Sequence, residues 1–150
     1  MRAIIQRVSN AKVEIDGVIK GAVKQGLLLL IGIEDADIQD DIEWLSSKIV
    51  QLRIFDDEAG LMNKSVLDIK GNILLISQFT LFGQTKKGNR PSFLKAARPE
   101  IAILIYENLK QVLNQKLGKP IETGLFGADM KVSLTNDGPV TLYMDTKNKE

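Results

Sequence analysis

Short apolar runs separated by turn residues dominate the first third of the chain and predict β-strands. The runs cover residues 3–8, 11–15, 18–23 and 27–33. Asp-Gly between two such runs is a hairpin signal, and it occurs at residues 16–17. The pattern therefore predicts a set of neighbouring strands, with a hairpin between the second and the third.

The pattern then changes to helical spacing, with apolar residues every three or four positions from Ile38 to Leu52. An acidic cluster covers the start of this stretch, and it has two interpretations. Cation binding is one, but Gln39 stands where a calcium loop needs an oxygen ligand, and the glycine of such a loop is missing. We therefore expect Asp35 and Asp37 to serve as the helix cap and first-turn carboxylates.

A second helix is predicted to begin near Pro99, a favoured first-turn residue, and to end at Gly118 before Pro120. Arg98 would be its N-cap, although arginine caps poorly. The apolar residues expected to face the core are Ile101, Leu104, Ile105, Leu109, Val112 and Leu113.

The rest of the chain adds strands and completes the predicted fold. Strands are expected at residues 51–55, 72–79, 131–134 and 140–144, with a frayed tail at 147–150. The length of 150 residues and a hydrophobic content of 44% suit one domain with one core. The predicted fold class is α+β, a mostly antiparallel sheet or partial β-barrel packed by two main helices over residues 1–150.

Composition narrows the possible chemistry more than charge does. The formal net charge is only +1, and it demands neither a nucleic acid nor a membrane as partner. The chain has no His and no Cys, which excludes disulfides, thiolate nucleophiles, Cys/His zinc sites and every triad with an imidazole base. Any reaction must therefore use hydroxyls, carboxylates, amines, backbone groups or the substrate itself.

The N-terminus lacks the features of a secretory signal, namely a long apolar core and a small-residue cleavage site. The longest apolar run, residues 27–33, is too short to span a bilayer. We expect a cytoplasmic protein with no membrane partner.

A local basic segment is concealed by the neutral net charge. No acidic residue occurs between Ile69 and Pro99, and the cations there are Lys70, Lys86, Lys87, Arg90, Lys95 and Arg98. A surface that meets phosphates would have this arrangement, but so would a solvated loop with a chance excess of positive charge. The segment is not a nucleotide-binding P-loop, because Asn89 and Arg90 follow its second glycine where Lys and then Ser or Thr are needed.

Two polar segments are candidates for a site. The first, residues 77–80 (SQFT), follows the apolar run at 73–76 and so places polar groups at the end of a buried strand. The second, residues 136–141 (NDGPVT), contains a Gly-Pro pair that exposes carbonyls on a stiff backbone. Ordinary strand structure and a tight turn are the alternatives that the spacing leaves open.

These segments carry a family resemblance. Four stretches resemble the signature segments of the D-aminoacyl-tRNA deacylases, in the order in which that family has them: 77–81 (SQFTL), 87–93 (KGNRPSF), 124–130 (GLFGADM) and 136–141 (NDGPVT). The opening residues 1–8 are similar too, so the resemblance runs from end to end. Each motif is short, but four in register over the length of the chain are specific.

The resemblance implies hydrolysis of the ester that joins a D-amino acid to the terminal adenosine of tRNA. It implies that Ser77, Gln78, Phe79 and Thr80 line the pocket for that adenosine and the scissile carbonyl. Thr80 is then the candidate nucleophile, but an unactivated hydroxyl is weak and the sequence shows no base beside it. We expect the RNA hydroxyl next to the ester to assist, with backbone amides polarising the carbonyl.

The resemblance also implies a chiral filter and a set of partners. Gly138 and Pro139, joined by a cis peptide bond, would reach into the site of a partner subunit and reject L-amino acids, with glycyl-tRNA accepted to some degree. Arg7 would brace this pair, with a solvent-facing strand arginine as the alternative. Phe126 and Met130 would shape the pocket wall, with ordinary core packing as the alternative. The expected assembly is a homodimer with interface sites.

The expected nucleic-acid partner is tRNA, held through Lys86, Lys87 and Arg90, and no DNA partner, cofactor or metal is expected. Two other functions remain open. One is an RNA-binding module without catalysis, and the other is an esterase that uses Thr80 directly on simple esters.

Overall fold

Strand β1 (Arg2–Ile15) is the strand around which the fold is organised in the computed structural model, which describes residues 1–150. The other strands are β2 (Val18–Val23), β3 (Gly26–Gly32), β4 (Phe55–Asp56), β5 (Met62–Lys64), β6 (Asn72–Ser77), β7 (Glu122–Thr123) and β8 (Lys131–Asp145). The helices are α1 (Gln39–Gln51) and α2 (Pro99–Leu117), and a short 3-10 turn covers Phe79–Phe82.

The main sheet has six strands in the order β2-β1-β3-β6-β7, with β8 also paired to β1. The pairs of β1 with β2, β3 and β8 are antiparallel, whereas β3–β6 and β6–β7 are parallel. Strands β4 and β5 form a separate hairpin. The α+β prediction of a partial barrel with two helices is confirmed, and the sheet is mixed.

Two apolar cores lie on opposite faces of this sheet. The larger core packs the sheet against both helices and includes Ala3 and Ile5 of β1. The smaller core includes Val8 and Val13 of the same strand. Val8 faces the smaller core by ordinary alternation from Ile5, whereas Val13 faces it because the pairing with β8 shifts between Val8 and Asn10. One extra residue of β1 at that shift reverses which side chains face the helices.

The acidic cluster differs from the expectation. Helix α1 has Ile38 as its N-cap, and Asp41, not Asp35 or Asp37, accepts a hydrogen bond from the Ile38 N–H at 2.9 Å. Asp37 is buried and pairs with the ammonium group of Met1, which also donates to Thr146 at 2.7 Å. The predicted cap was wrong because Asp37 has an ionic partner 36 residues away.

Helix α2 has the predicted bounds, and Gly118 caps it in the left-handed conformation with φ 75°. Of the predicted inward-facing set, Leu109, Val112 and Leu113 are buried and Ile105 packs partly buried against the larger core, while Ile101 and Leu104 are exposed. Nearly every residue in the first two turns of α2 is apolar, so the spacing there does not decide which face of the helix is buried.

The other expected strands differ in extent. Helix α1 continues to Gln51, so the strand expected at 51–55 is reduced to β4. The two strands expected near the C-terminus are one, β8. The expected fraying of the tail is wrong for Lys147, whose Nζ donates to Asp41 at 2.6 Å. Neither helix combines the length and apolar composition needed to cross a bilayer.

Replacing Asp41 by Asn should remove part of the acid dependence of stability. Burial alone would raise the pKa of Asp41, but hydrogen bonds from Lys147 and the Ile38 N–H outweigh it and lower the pKa from 3.8 to about 2. A carboxylate with a depressed folded-state pKa stabilises the fold above its unfolded pKa, and this contribution is lost as the pH falls through the folded value. We expect the free energy of unfolding of the wild type to fall between pH about 4 and about 2.

In Asp41→Asn, this part of the acid dependence should be missing, and stability at neutral pH should be lower. Urea unfolding at several pH values measures both effects. Asp129→Asn is the control, because Asp129 and its partner Lys131 are exposed, and such pairs contribute less than about 1 kcal/mol. An acid profile of Asp41→Asn parallel to that of the wild type would contradict this assignment.

Candidate active site

A cavity of about 800 Å³ opens beside the end of β6, and most of its lining is apolar. This volume is in the range of sites for small organic ligands. Of the predicted site residues, five line it: Ser77, Gln78, Phe79, Phe126 and Met130. The structure thus brings together two segments separated by about 50 residues of sequence.

The parallel pairing of β3 and β6 fixes the floor of the cavity. Ser77, the last residue of β6, pairs with Ile31, and the Gln78 N–H donates to the Ile31 carbonyl at 2.7 Å. Gly32 then lets the 3-10 turn lie against β3, since a Cβ there would come within 3.0 Å of Leu81 and 3.1 Å of the Gln78 carbonyl. The polar segment therefore leaves the sheet at one defined point.

Backbone N–H groups are the clearest hydrogen-bond donors at this floor. The first amide bonded within the 3-10 turn is that of Leu81, which donates to the Gln78 carbonyl at 3.2 Å. The amides of Phe79 and Thr80 precede that bond. Such amides can stabilise negative charge on a carbonyl oxygen without a charged side chain.

Thr80 lies beside the cavity but is not among its lining residues. Its hydroxyl oxygen accepts a hydrogen bond from the Gln78 side-chain amide. An activated hydroxyl instead donates its proton to a base, and no carboxylate or amine is bonded to Thr80. The one side-chain hydrogen bond of Thr80 is therefore to an amide and not to a base.

The wall opposite the floor is held by a buried tyrosine. Phe126 packs edge-to-face on Tyr106 of α2, with ring centroids 5.6 Å apart. The Tyr106 hydroxyl donates to the Leu75 carbonyl of β6 at 3.0 Å, and burial raises the pKa of this hydroxyl, so it stays protonated at neutral pH. Tyr106 thereby connects the wall and the floor, a role that sequence reasoning missed.

Aromatic rings form the outer rim. Phe79 is 57% exposed and packs edge-to-face against Phe93, with centroids 5.2 Å apart, and both line the cavity. Phe93 was absent from the predicted site residues, although it ends the predicted motif at 87–93. Exposed aromatic faces at a cavity mouth can stack with a nucleobase.

Gly138 and Pro139 are not among the residues that line this cavity. They lie in a bulge of β8, because Gln6 of β1 pairs with Thr141 while Val8 pairs with Asn136. The Gly138–Pro139 peptide bond is cis, and both residues are exposed. Gly138 has φ 138°, and a Cβ there would come within 2.8 Å of Val140, so a larger residue does not fit.

Arg7 holds this bulge from the side of β1. The side chain is buried, and its Nε donates to the Asp137 carbonyl at 2.8 Å. Its Nη1 donates to the Ile54 carbonyl at 2.7 Å and to the Asp56 carboxylate at 3.2 Å. Asn136 closes the bulge from within by accepting from the Val140 N–H at 2.9 Å. Neither Asp56 nor Asn136 was among the predicted site residues.

Lys86, Lys87 and Arg90 lie together on the exposed loop that follows the 3-10 turn. Paired amides and carbonyls of Gln84 and Ser92 close the loop, with bonds of 2.8 and 3.0 Å. None of the three cations forms an ion pair within the chain. The structure thus presents an uncompensated positive loop next to the cavity-lining segment.

Comparison with known proteins identifies the family. The family described as D-Tyr-tRNA(Tyr) deacylase matches residues 4–145. The D-aminoacyl-tRNA deacylases of Bacteroides fragilis (strain YCH46) and Bacteroides thetaiotaomicron are 62% and 61% identical to this chain, each over 100% of both chains.

Two solved structures share the fold. The c-Myc DNA unwinding element binding protein superposes with a TM-score of 0.92 at 39% identity, over 97% of this chain and 98% of the other. A probable eukaryotic D-amino acid tRNA deacylase superposes with a TM-score of 0.80 over 95% and 97%, and at 16% identity this likeness concerns the fold alone. Matches to family and relatives over nearly the whole chain place this protein in the D-aminoacyl-tRNA deacylase family, hydrolases of the aminoacyl-tRNA ester bond.

Proposed function

We propose that this deacylase hydrolyses its ester in the cavity at the end of β6, and that the substrate's own ribose hydroxyl assists the reaction. The observation that carries the proposal is the floor of the cavity, where Ser77, Gln78 and Phe79 meet and no side chain that could act as a strong base is bonded to them. The chain also contains no His or Cys that could take that role.

The proposed reaction is addition of water to the ester carbonyl, followed by departure of the ribose oxygen. The amides of Phe79 and Thr80 stabilise the negative charge that develops on the carbonyl oxygen. The ribose hydroxyl next to the ester orients the water and relays its proton to the leaving oxygen. The products are a free amino acid and a tRNA with both terminal hydroxyls, so atoms and charge balance. Holding these groups together supplies most of the acceleration.

The proposed role of Gly138 and Pro139 is to reject L-amino acids from the site of a partner subunit. Their absence from the cavity lining of their own chain supports a homodimer in which each bulge enters the other subunit's site. Their exposed carbonyls would accept hydrogen bonds from the α-amino group, which fixes the direction of the side chain. An L side chain would then meet the Gly-Pro backbone, whereas glycine has no side chain to reject, so glycyl-tRNA is a further substrate.

The proposed partner is the acceptor end of tRNA in the cytoplasm. Lys86, Lys87 and Arg90 would contact its phosphates, since they carry no ion-pair partner of their own. Contacts to the phosphate backbone do not report sequence, and we expect little selectivity among tRNA species. Binding should weaken as salt is raised.

The first test compares one tRNA charged with D-tyrosine or with L-tyrosine, at equal enzyme and with a metal chelator present. We expect the D-ester to be hydrolysed at least about 100-fold faster, because the wrong configuration places a side chain against a backbone wall. Loss of radiolabelled amino acid from the tRNA gives both rates. Equal rates for the two esters would contradict the proposed chiral filter. No acceleration of either ester would contradict catalysis and favour an RNA-binding module.

The second test distinguishes assistance by the ribose hydroxyl from direct attack by the Thr80 hydroxyl. A substrate whose terminal ribose lacks the hydroxyl next to the ester should react at least about 100-fold more slowly, as expected when an acid–base group is removed. Thr80→Ala should slow the normal substrate by less than about tenfold, because it removes one hydrogen bond to Gln78. Single-turnover rates measure both, and the opposite order would assign the reaction to the Thr80 hydroxyl.

The third test concerns Arg7. Arg7→Lys cannot keep the two separate donors that reach the Asp137 and Ile54 carbonyls, so the bulge should lose its fixed position. We expect the ratio of D to L hydrolysis to fall at least about tenfold, the effect of losing a charge-assisted hydrogen bond. Arg53→Lys, at an exposed arginine whose side chain makes none of these contacts, is the control. An unchanged ratio in a folded Arg7→Lys protein would show that Arg7 has no part in the chiral filter.

A further inference from the structure

Arg98 is the one cationic side chain that lines the cavity. The only other charged residue of the lining is Asp35. Lys86, Lys87 and Arg90, the cations assigned to tRNA above, are not part of the lining. Arg98 therefore occupies a different position from the exposed basic loop, in the wall of the cavity itself.

The backbone that carries Arg98 is fixed on both sides. On one side, the Ala97 N–H donates to the Ile33 carbonyl at 2.9 Å, which ties the segment to the residue after β3. On the other, the Arg98 carbonyl accepts from the Ile101 and Ala102 amides at 3.0 and 2.9 Å as α2 begins. The side chain thus emerges at a constant place on the cavity wall.

The guanidinium of Arg98 has no partner within the chain. It forms no ion pair and no hydrogen bond with another side chain or carbonyl, in contrast to Arg2 and Arg7, which both do. Arg98 is exposed, so the side chain can turn toward a ligand at the mouth. An arginine without a partner beside a ligand cavity is suited to a planar, two-oxygen anion such as a phosphodiester.

We propose that Arg98 binds the phosphodiester on the 5′ oxygen of the terminal adenosine and so makes the enzyme selective for polynucleotide esters over nucleoside esters. The inference rests on the proposed function, which places the terminal nucleoside and its ester on the cavity floor. The 5′ phosphodiester is the phosphate nearest to that nucleoside, and a long side chain on the cavity wall can meet it. Asp35 repels a phosphate, so the phosphate approaches on the Arg98 side of the mouth.

This contact differs from those of the exposed basic loop in what it recognises. The loop would meet phosphates along the acceptor end and would act only on a long RNA. Arg98 would respond to the single phosphate that separates a nucleotide from a nucleoside, whatever follows it. Free aminoacyl-adenosine and simple amino acid esters lack this phosphate, and they would be poor ligands.

The test uses a pair of stable ligands, 3′-deoxy-3′-(D-alanylamino)adenosine and the same compound carrying a 5′-methyl phosphate diester. An amide replaces the ester in both, so binding is measured without turnover, by calorimetry on the full-length protein. We expect the wild type to bind the phosphate-bearing ligand about tenfold more tightly, the effect of one charge-assisted contact. In Arg98→Ala this preference should fall to about one, and in Arg98→Lys to an intermediate value.

Two further variants complete the design. Arg53→Ala removes an exposed arginine elsewhere and should keep the wild-type preference. Asp35→Asn should increase the preference, because it removes the negative charge of the same cavity lining, which repels the phosphate. A preference that survives in Arg98→Ala, or a wild type with no preference, would overturn the assignment.

Hydrolysis of D-aminoacyl-tRNA by the wild type is measured in parallel, which separates the two ideas. If the ester is cleaved but the Arg98-dependent preference is absent, the phosphate contact is wrong and the proposed function stands. If the preference is present without any cleavage, Arg98 binds a nucleotide phosphate in a protein that is not a deacylase.

Discussion

The two register shifts between β1 and β8, one on each side of Val8, are the constraint on which the rest of the structure depends. Side chains alternate along a strand, so an unbroken β1 would put Val13 on the same face as Ala3 and Ile5. The shift between Val8 and Asn10 lets Ala3 and Ile5 pack against the helices while Val13 joins Val8 in the second core. The shift between Gln6 and Val8 produces the bulge of β8 that exposes Gly138 and Pro139.

A buried arginine at this point would be costly if its donors were unpaired, because desolvating a charge outweighs most single contacts. Arg7 avoids this cost by donating to two backbone carbonyls and one carboxylate, drawn from the bulge and from the segment that begins at Ile54. Three separate parts of the chain thus meet at one guanidinium. The hydrogen bonds that hold the bulge therefore also compensate for the desolvation of the Arg7 charge. A change in the shape of the bulge would break some of these bonds and leave a buried charge with unpaired donors.

Sequence reasoning was most successful where structure follows from local chemistry. The end of α2 at Gly118 and the exposure of the basic loop follow from local residues, and so does the strand that begins at Asn72, although it ends at Ser77 and not at Phe79 as expected. Sequence reasoning failed where a side chain pairs with a group that is distant in the sequence. Asp37 pairs with the ammonium of Met1, and the hydroxyl of Tyr106 reaches Leu75, and neither contact leaves a spacing signal. The motifs at 77–80 and 136–141 were found as segments, but only the structure shows that one lies on the cavity floor and the other does not.

The separation of the cavity floor from the Gly138–Pro139 bulge suits the two tasks that the proposed function assigns to them. The floor supplies backbone amides, which polarise a carbonyl regardless of the configuration of the neighbouring carbon, so catalysis on the floor alone would be indifferent to chirality. On the proposed function, selection then comes from a second surface that the substrate side chain meets, and the backbone of Gly138 and Pro139 is a rigid candidate for that surface. Because the cavity floor and the Gly138–Pro139 bulge lie in different parts of one chain, the proposed homodimer lets each copy supply what the other lacks. On this proposal, a monomer would keep the polarising amides without the wall that separates D from L.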